Sequence, residues 1–136
     1  MNQWRLKRSA EKRSGMLSLE LVLVLPLIAT ILFAVCEFGL LFSGRQSLVA
    51  ASRAAARVAT LAGATQDDVA QTVQDQLEPE LCQELRIDAE LGRHSGDLVV
   101  VTLSLPMTSV SPDLLRFIGL SLRDHDLVAE TVMCKE

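Results

Sequence analysis

The apolar and polar positions fall into three regimes along the chain. Residues 1–14 are polar and basic and show no apolar periodicity. From Leu21 to Gly44 the apolar positions then run almost unbroken, with Cys36 and Glu37 the only ionisable side chains. A helix rising about 1.5 Å per residue covers about 36 Å over that stretch, enough to cross a bilayer core of about 30 Å. The pattern predicts a transmembrane helix over 16–44, preceded by a basic leader over 1–15. Pro26 removes one backbone hydrogen bond and is expected to bend the helix, which membrane helices tolerate.

Beyond Gly44 the apolar residues become small and periodic. Leu48, Ala51, Ala55, Val58 and Ala62 recur at spacings of three and four, and alanine is the strongest helix former. The helix is therefore expected to continue outside the membrane over 45–63. Arg45, Arg53 and Arg57 fall on another stripe and leave a smooth small-residue face, which allows close approach of a neighbour. Either the chain's own globular part or another protein's helix would satisfy it. Gly63-Ala64-Thr65 marks a stop, and Thr65 followed by Asp67 and Asp68 reads as an N-cap with first-turn acids.

Residues 64–136 read as a small exported α+β domain. Val69, Val73 and Leu77 stand four apart in an amphipathic helix over Asp67–Leu77 that ends before Pro79. Leu85 to Leu91 alternates at period two, as a half-exposed strand does. Gly92 to Asp97 is a turn, and Leu98 to Leu105 is a β-branched, apolar strand closed by Pro106. Pro112 to Ile118 fits a short helix, and Ser121 to Met133 a third strand antiparallel to the second. The expected architecture is a long N-terminal helix followed by a roughly three-stranded antiparallel sheet packed on one or two helices.

Charge gives this layout a direction. Before Gly15 stand Arg5, Lys7, Arg8, Lys12 and Arg13 against the single acid Glu11. Of the 17 acids and 13 bases in the chain, sixteen and eight follow Gly15. By the positive-inside tendency the leader stays cytoplasmic and the acidic part crosses, with Arg45 alone opposing. The acidic part has no basic surface suited to nucleic acid.

Candidate chemistry is sparse. Cys36 lies in the span, where a thiol is a small packing residue. Cys82 and Cys134 lie in the exported part and would either pair in an oxidising compartment or remain free; a bridge would close a loop of about 50 residues. His94 sits in a polar turn. His125 stands between Asp124 and Asp126, which in a strand point to the opposite face from it. No G-x-S-x-G elbow, C-x-x-C, H-E-x-x-H or glycine-rich phosphate loop occurs. No catalytic residue, metal or cofactor is expected. Glu37 sits about 24 Å beyond Leu21, where it either reaches the far headgroups or faces another helix.

An ordered set of motifs narrows the class. Gly15, four further residues and then Glu20 at the mouth of the apolar run resemble the processing site of type IV prepilins. Leu21-Val-Leu-Val-Leu-Pro26, then Glu37-Phe38-Gly39, then Arg45-Gln46 and the Ala-rich stretch to Arg57 resemble the TadE-like pseudopilins of the tight adherence (Flp-type) pilus system. The chain's end, Val132-Met133-Cys134-Lys135-Glu136, fits the closing strand of that family. The resemblance implies a minor, non-enzymatic pilus assembly component, cut by a prepilin peptidase between Gly15 and Met16. It also implies other pilins or pseudopilins and an inner-membrane assembly platform as partners, besides membrane lipid. Glu20 would then pair with the new α-amino group of a neighbouring subunit. Independently, a carboxylate at the edge of hydrocarbon is costly and is usually retained for a partner, although a solvated place near a helix N-terminus also suits it. The alternative is a single-pass envelope binding protein whose signal anchor is never cut.

Overall fold

The computed structural model describes the backbone from Trp4 to Glu136 and the side chains from Ser18 onward. The expected cleavage pair, Gly15 and Met16, lies outside the residues whose side chains are described. The elements in chain order are α1 (Trp4–Ala59), α2 (Gln66–Gln76), α3 (Pro79–Cys82), β1 (Arg86–Glu90), β2 (Leu98–Pro106) and β3 (Asp126–Cys134), with 3-10 turns at Met107–Ser109 and Leu114–Ile118. This is the expected α+β class: a long apolar helix, then a three-stranded antiparallel sheet with helices. α1 takes in most of the leader, whose lack of apolar periodicity had given no sign of a helix, and it runs through Pro26.

The chain divides into two compact units, Met1–Cys36 and Glu37–Glu136. The second begins well before the boundary at residue 64 that the sequence suggested. The reason is packing. Leu48, Ala51, Ala55, Ala56 and Ala59 of α1 are almost fully buried and form one core with α2 and the sheet. The small-residue face thus meets the chain's own globular part. Ser52 on that face is buried as well, and its hydroxyl shares a 2.8 Å hydrogen bond with Thr131 of β3. A buried hydroxyl without such a partner would destabilise the interface.

The sheet order is β1-β2-β3, antiparallel throughout, with Ile87 opposite Leu103 and Leu103 opposite Ala129. Strand alternation turns Val99, Val101, Leu103 and Leu105 of β2, and Leu127 and Ala129 of β3, into the core. Val69, Val73 and Leu77 close it from the α2 side, as their spacing predicted. The start of α2 is held by a capping box: Thr65 Oγ1 accepts from the Asp68 N–H, and Asp68 accepts from the Thr65 N–H at 2.9 Å. The bond from the Thr65 backbone, and then that from its hydroxyl, hold the Asp68 carboxyl below its ordinary value of 3.8.

Two further details differ from expectation. β3 starts at Asp126 instead of Ser121, because Asp113 claims the intervening segment: its carboxylate accepts from Ser121 Oγ at 3.3 Å and from the Leu122 N–H at 3.2 Å. Asp124 and His125 therefore precede the strand, and strand alternation does not separate them; they and Asp126 are exposed. The C-terminus is tied down by Lys135. Its backbone exchanges hydrogen bonds with the β1–β2 turn at Gly96 and Asp97, and its ammonium donates to the Gly92 carbonyl at 2.6 Å.

Gly44 marks a close approach between α1 and the segment after β2. A Cβ at this position would overlap Val110 Cγ1 and come within 3.2 Å of Cγ2. Valine is stiff at χ1 and cannot swing aside. Alanine normally favours a helix over glycine by about 0.8–1 kcal/mol. Here overpacking, worth about 1–3 kcal/mol, opposes that gain. Gly44→Ala is therefore expected to fail to stabilise the chain, and adding Val110→Ala should release the clash. Chemical denaturation of the detergent-solubilised chain checks this through a double-mutant coupling of about 1 kcal/mol.

Candidate functional site

The candidate site is built on α1 and two of its acids, Glu20 and Glu37. Over Ser18–Cys36 almost every large apolar side chain is exposed, Leu19 at 71% and Leu23 at 77%. At about 1.5 Å per residue this exposed run is about 28 Å long, close to the thickness of a bilayer core. Ser18–Ala59 qualifies as a candidate membrane span by length and composition, and none of its most apolar window is buried. A soluble protein would not leave so continuous a surface open to water. Within this run Thr30 Oγ1 donates to the Pro26 carbonyl at 2.8 Å, one turn back along the helix.

Glu20 is exposed near the start of this run. Among the described residues no hydrogen bond or ion pair reaches its carboxylate.

Glu37 has the opposite environment. It opens the globular unit and is only 2% exposed. Its Oε1 accepts from the Ser111 hydroxyl at 3.2 Å and its Oε2 from the Leu115 backbone N–H at 3.1 Å. Neither headgroups nor another helix, the two partners expected from the sequence, is what this side chain meets. It is taken up by the chain's own loop after β2, more than seventy residues away. Leu115 is buried beside it and opens the 3-10 turn Leu114–Ile118 with Leu114. The turn is bracketed by left-handed backbone at Asp113, φ 55°, and Gly119, φ 89°. Asp113 bears that strain because its carboxylate is bonded on the far side of the loop. Beside Glu37 lies an almost wholly apolar cavity of about 290 Å³, lined in part by Phe38, Leu41, Leu115 and Leu120.

The remaining candidates are not brought together. Cys36, Cys82 and Cys134 are all free, so the bridge considered for Cys82 and Cys134 is not formed. The sheet register supplies the reason. The segment carrying Cys82 enters β1 at Arg86, opposite Ser104, whereas Cys134 lies opposite Leu98 at the other end of β2. Six residues of strand, about 20 Å, separate those two positions, against a Cα reach of about 7 Å for a disulfide. His94 is exposed and lies 3.6 Å from Asp97, which organises the β1–β2 turn by accepting from the Arg93 and His94 N–H groups. Among the described residues no group of three or more His, Cys, Asp or Glu side chains could hold a metal ion.

Sequence reading missed Ser111, Asp113 and Leu115. The signal available was an acid inside an apolar run, which requires donors from somewhere. Which donors they are depends on a contact no local pattern records.

Residues 15–57 match the family model described as TadE-like protein. No curated protein and no solved structure matches the chain. The matched stretch contains both acids and ends at Arg57, within the buried part of α1.

The Glu37 contact has a measurable weight. Glu37→Ala would leave the Leu115 N–H and the Ser111 hydroxyl buried without their acceptor, costing about 1–3 kcal/mol. The expected outcome is faster amide hydrogen exchange at Leu115 and its neighbours, with Val99 and Val101 in the sheet little changed. Unchanged exchange at Leu115 would show that the loop does not depend on this carboxylate.

Proposed function

We propose that this chain, whose residues 15–57 match the TadE-like family model, is a minor pseudopilin-like component of a tight adherence pilus, structural instead of enzymatic. The family associates the chain with that pilus system, and the N-terminal apolar helix is its candidate membrane span. In the proposed sequence of events the basic leader keeps the N-terminus cytoplasmic and the acidic globular unit crosses the inner membrane. A prepilin peptidase then cuts after Gly15 and leaves Met16 as the new N-terminus.

The observation that carries this reading is an apolar helix surface left open over Ser18–Cys36, with a carboxylate near its start. Lipid satisfies that surface before assembly, and the helices of other pilins satisfy it afterwards. Glu20 is the exception on it, since a carboxylate within hydrocarbon costs about 2.5–3.5 kcal/mol at a helix centre. The α-amino group freed at Met16 of a neighbouring subunit would offset that cost and set the axial register between copies. The inner-membrane assembly platform would draw the subunit out of the bilayer once that pair is made.

Mass spectrometry of the chain purified from its native host tests the processing step. Met16 is the expected first residue, and Gly15→Ala should leave the leader attached. Wild-type chain recovered with its leader intact would instead leave an uncleaved signal anchor tethering an envelope binding protein. Glu20→Leu tests the register: membrane insertion should persist while pilus formation falls sharply. Normal pili from that variant would remove Glu20 from the mechanism.

A further inference from the structure

We infer that the loop 113–122 is a membrane-interface anchor, with Ile118 and Leu120 seated at the headgroup–acyl boundary of the bilayer beside Phe38 and Phe42 of α1. This rests on the reading of α1 as a membrane span. Three observations carry it.

The first is exposure. Ile118, Leu120, Phe38 and Phe42 are 46%, 59%, 69% and 66% exposed, although each belongs to the compact unit. Phe38 and Leu120 line one apolar cavity, and Phe42 lies one helical turn from Phe38 on the same face. Phe38, Phe42 and Leu120 therefore adjoin one another, and Ile118 is exposed two residues before Leu120 on the same loop.

The second is rigidity. Glu37 accepts from Leu115, Asp113 accepts from Ser121 and Leu122, and the Leu120 N–H donates to the Leu115 carbonyl at 3.3 Å. The left-handed backbone at Asp113 and Gly119 fixes the two bends. The loop therefore presents its apolar side chains by construction and has no slack with which to bury them.

The third is position along the chain. Glu37 follows Cys36 directly, so the loop is hydrogen-bonded to the first residue of α1 that the compact unit takes up. A bilayer that holds Ser18–Cys36 has its surface within a few ångströms of Glu37, since each helical residue advances about 1.5 Å. Apolar side chains at that level meet the interface, where partial insertion of about 5–10 Å is favourable. Arg116 of the loop and Arg123 just after it border one surface cleft together with Asp113, whose carboxylate is engaged by Ser121 and Leu122. The two guanidinium groups suit the phosphate oxygens of lipid headgroups. Asp124 and Asp126, exposed just beyond, mark where the surface turns back to water.

The test uses the full chain at one copy per nanodisc of zwitterionic and anionic phospholipid, with Cys36, Cys82 and Cys134 replaced by serine. Nitroxide labels are placed singly at Ile118→Cys, Leu120→Cys, Leu23→Cys and His94→Cys. All but Leu23 lie on the surface of the globular unit, so labelling leaves its core intact. Oxygen collisions should exceed those of a water-soluble nickel chelate at 118 and 120, more strongly so at 23, and the order should reverse at 94. Aqueous behaviour at 118 and 120 with a lipid signature at 23 would overturn the anchor and keep the span. Aqueous behaviour at 23 would overturn the span itself, and the anchor with it. Shielding of 118 and 120 from both reagents would show that protein covers the loop, and would also overturn the anchor.

Discussion

A helix of 56 residues cannot be covered by a sheet of three strands, and this mismatch governs the molecule. Burial of apolar surface is non-directional and goes as far as partner atoms are available. From Leu48 to Ala59 the partner atoms are those of β2, β3 and α2, and α1 there uses alanine and serine where it is packed most tightly. Over Ser18–Cys36 the apolar side chains face outward. Water is the wrong solvent for that surface, so the protein is completed by something outside its own chain. A bilayer would cover that surface, and the length and composition of the run suit one.

Glu20 and Glu37 of α1 show how one residue type meets different surroundings on one helix. Glu37 is enclosed, and each of its two oxygens holds one donor from the loop after β2. A buried carboxylate is tolerable only with such donors, and the contact in return fixes where the loop sits. Glu20 is exposed and unsatisfied among the described residues, so its role depends on an encounter with another group. Glu37 organises the fold; Glu20 takes no part in it among the described residues.

The loop between β2 and β3 links these themes. Its geometry is set by two carboxylates, Glu37 from α1 and its own Asp113, and by left-handed backbone at each bend. Around those bonds it displays Ile118 and Leu120 together with Arg116, a mixture of apolar and basic side chains.

Much of this was legible before any coordinates. The apolar run from Leu21, the alanine period from Leu48, the Thr65 cap, the α2 stripe and the alternation of β1 and β2 are local patterns, each set by neighbours within a few residues. The acid at position 20 and the glycine before it were equally plain, because they are one-dimensional features read at fixed spacing. Tertiary structure alone decided where α1 stops being open and becomes core, which donors reach Glu37, why β3 starts five residues late, and that Cys82 and Cys134 are free. Each of these depends on residues dozens of positions apart meeting in space. Such contacts follow from the packing of the whole unit, and no periodicity along the chain carries them.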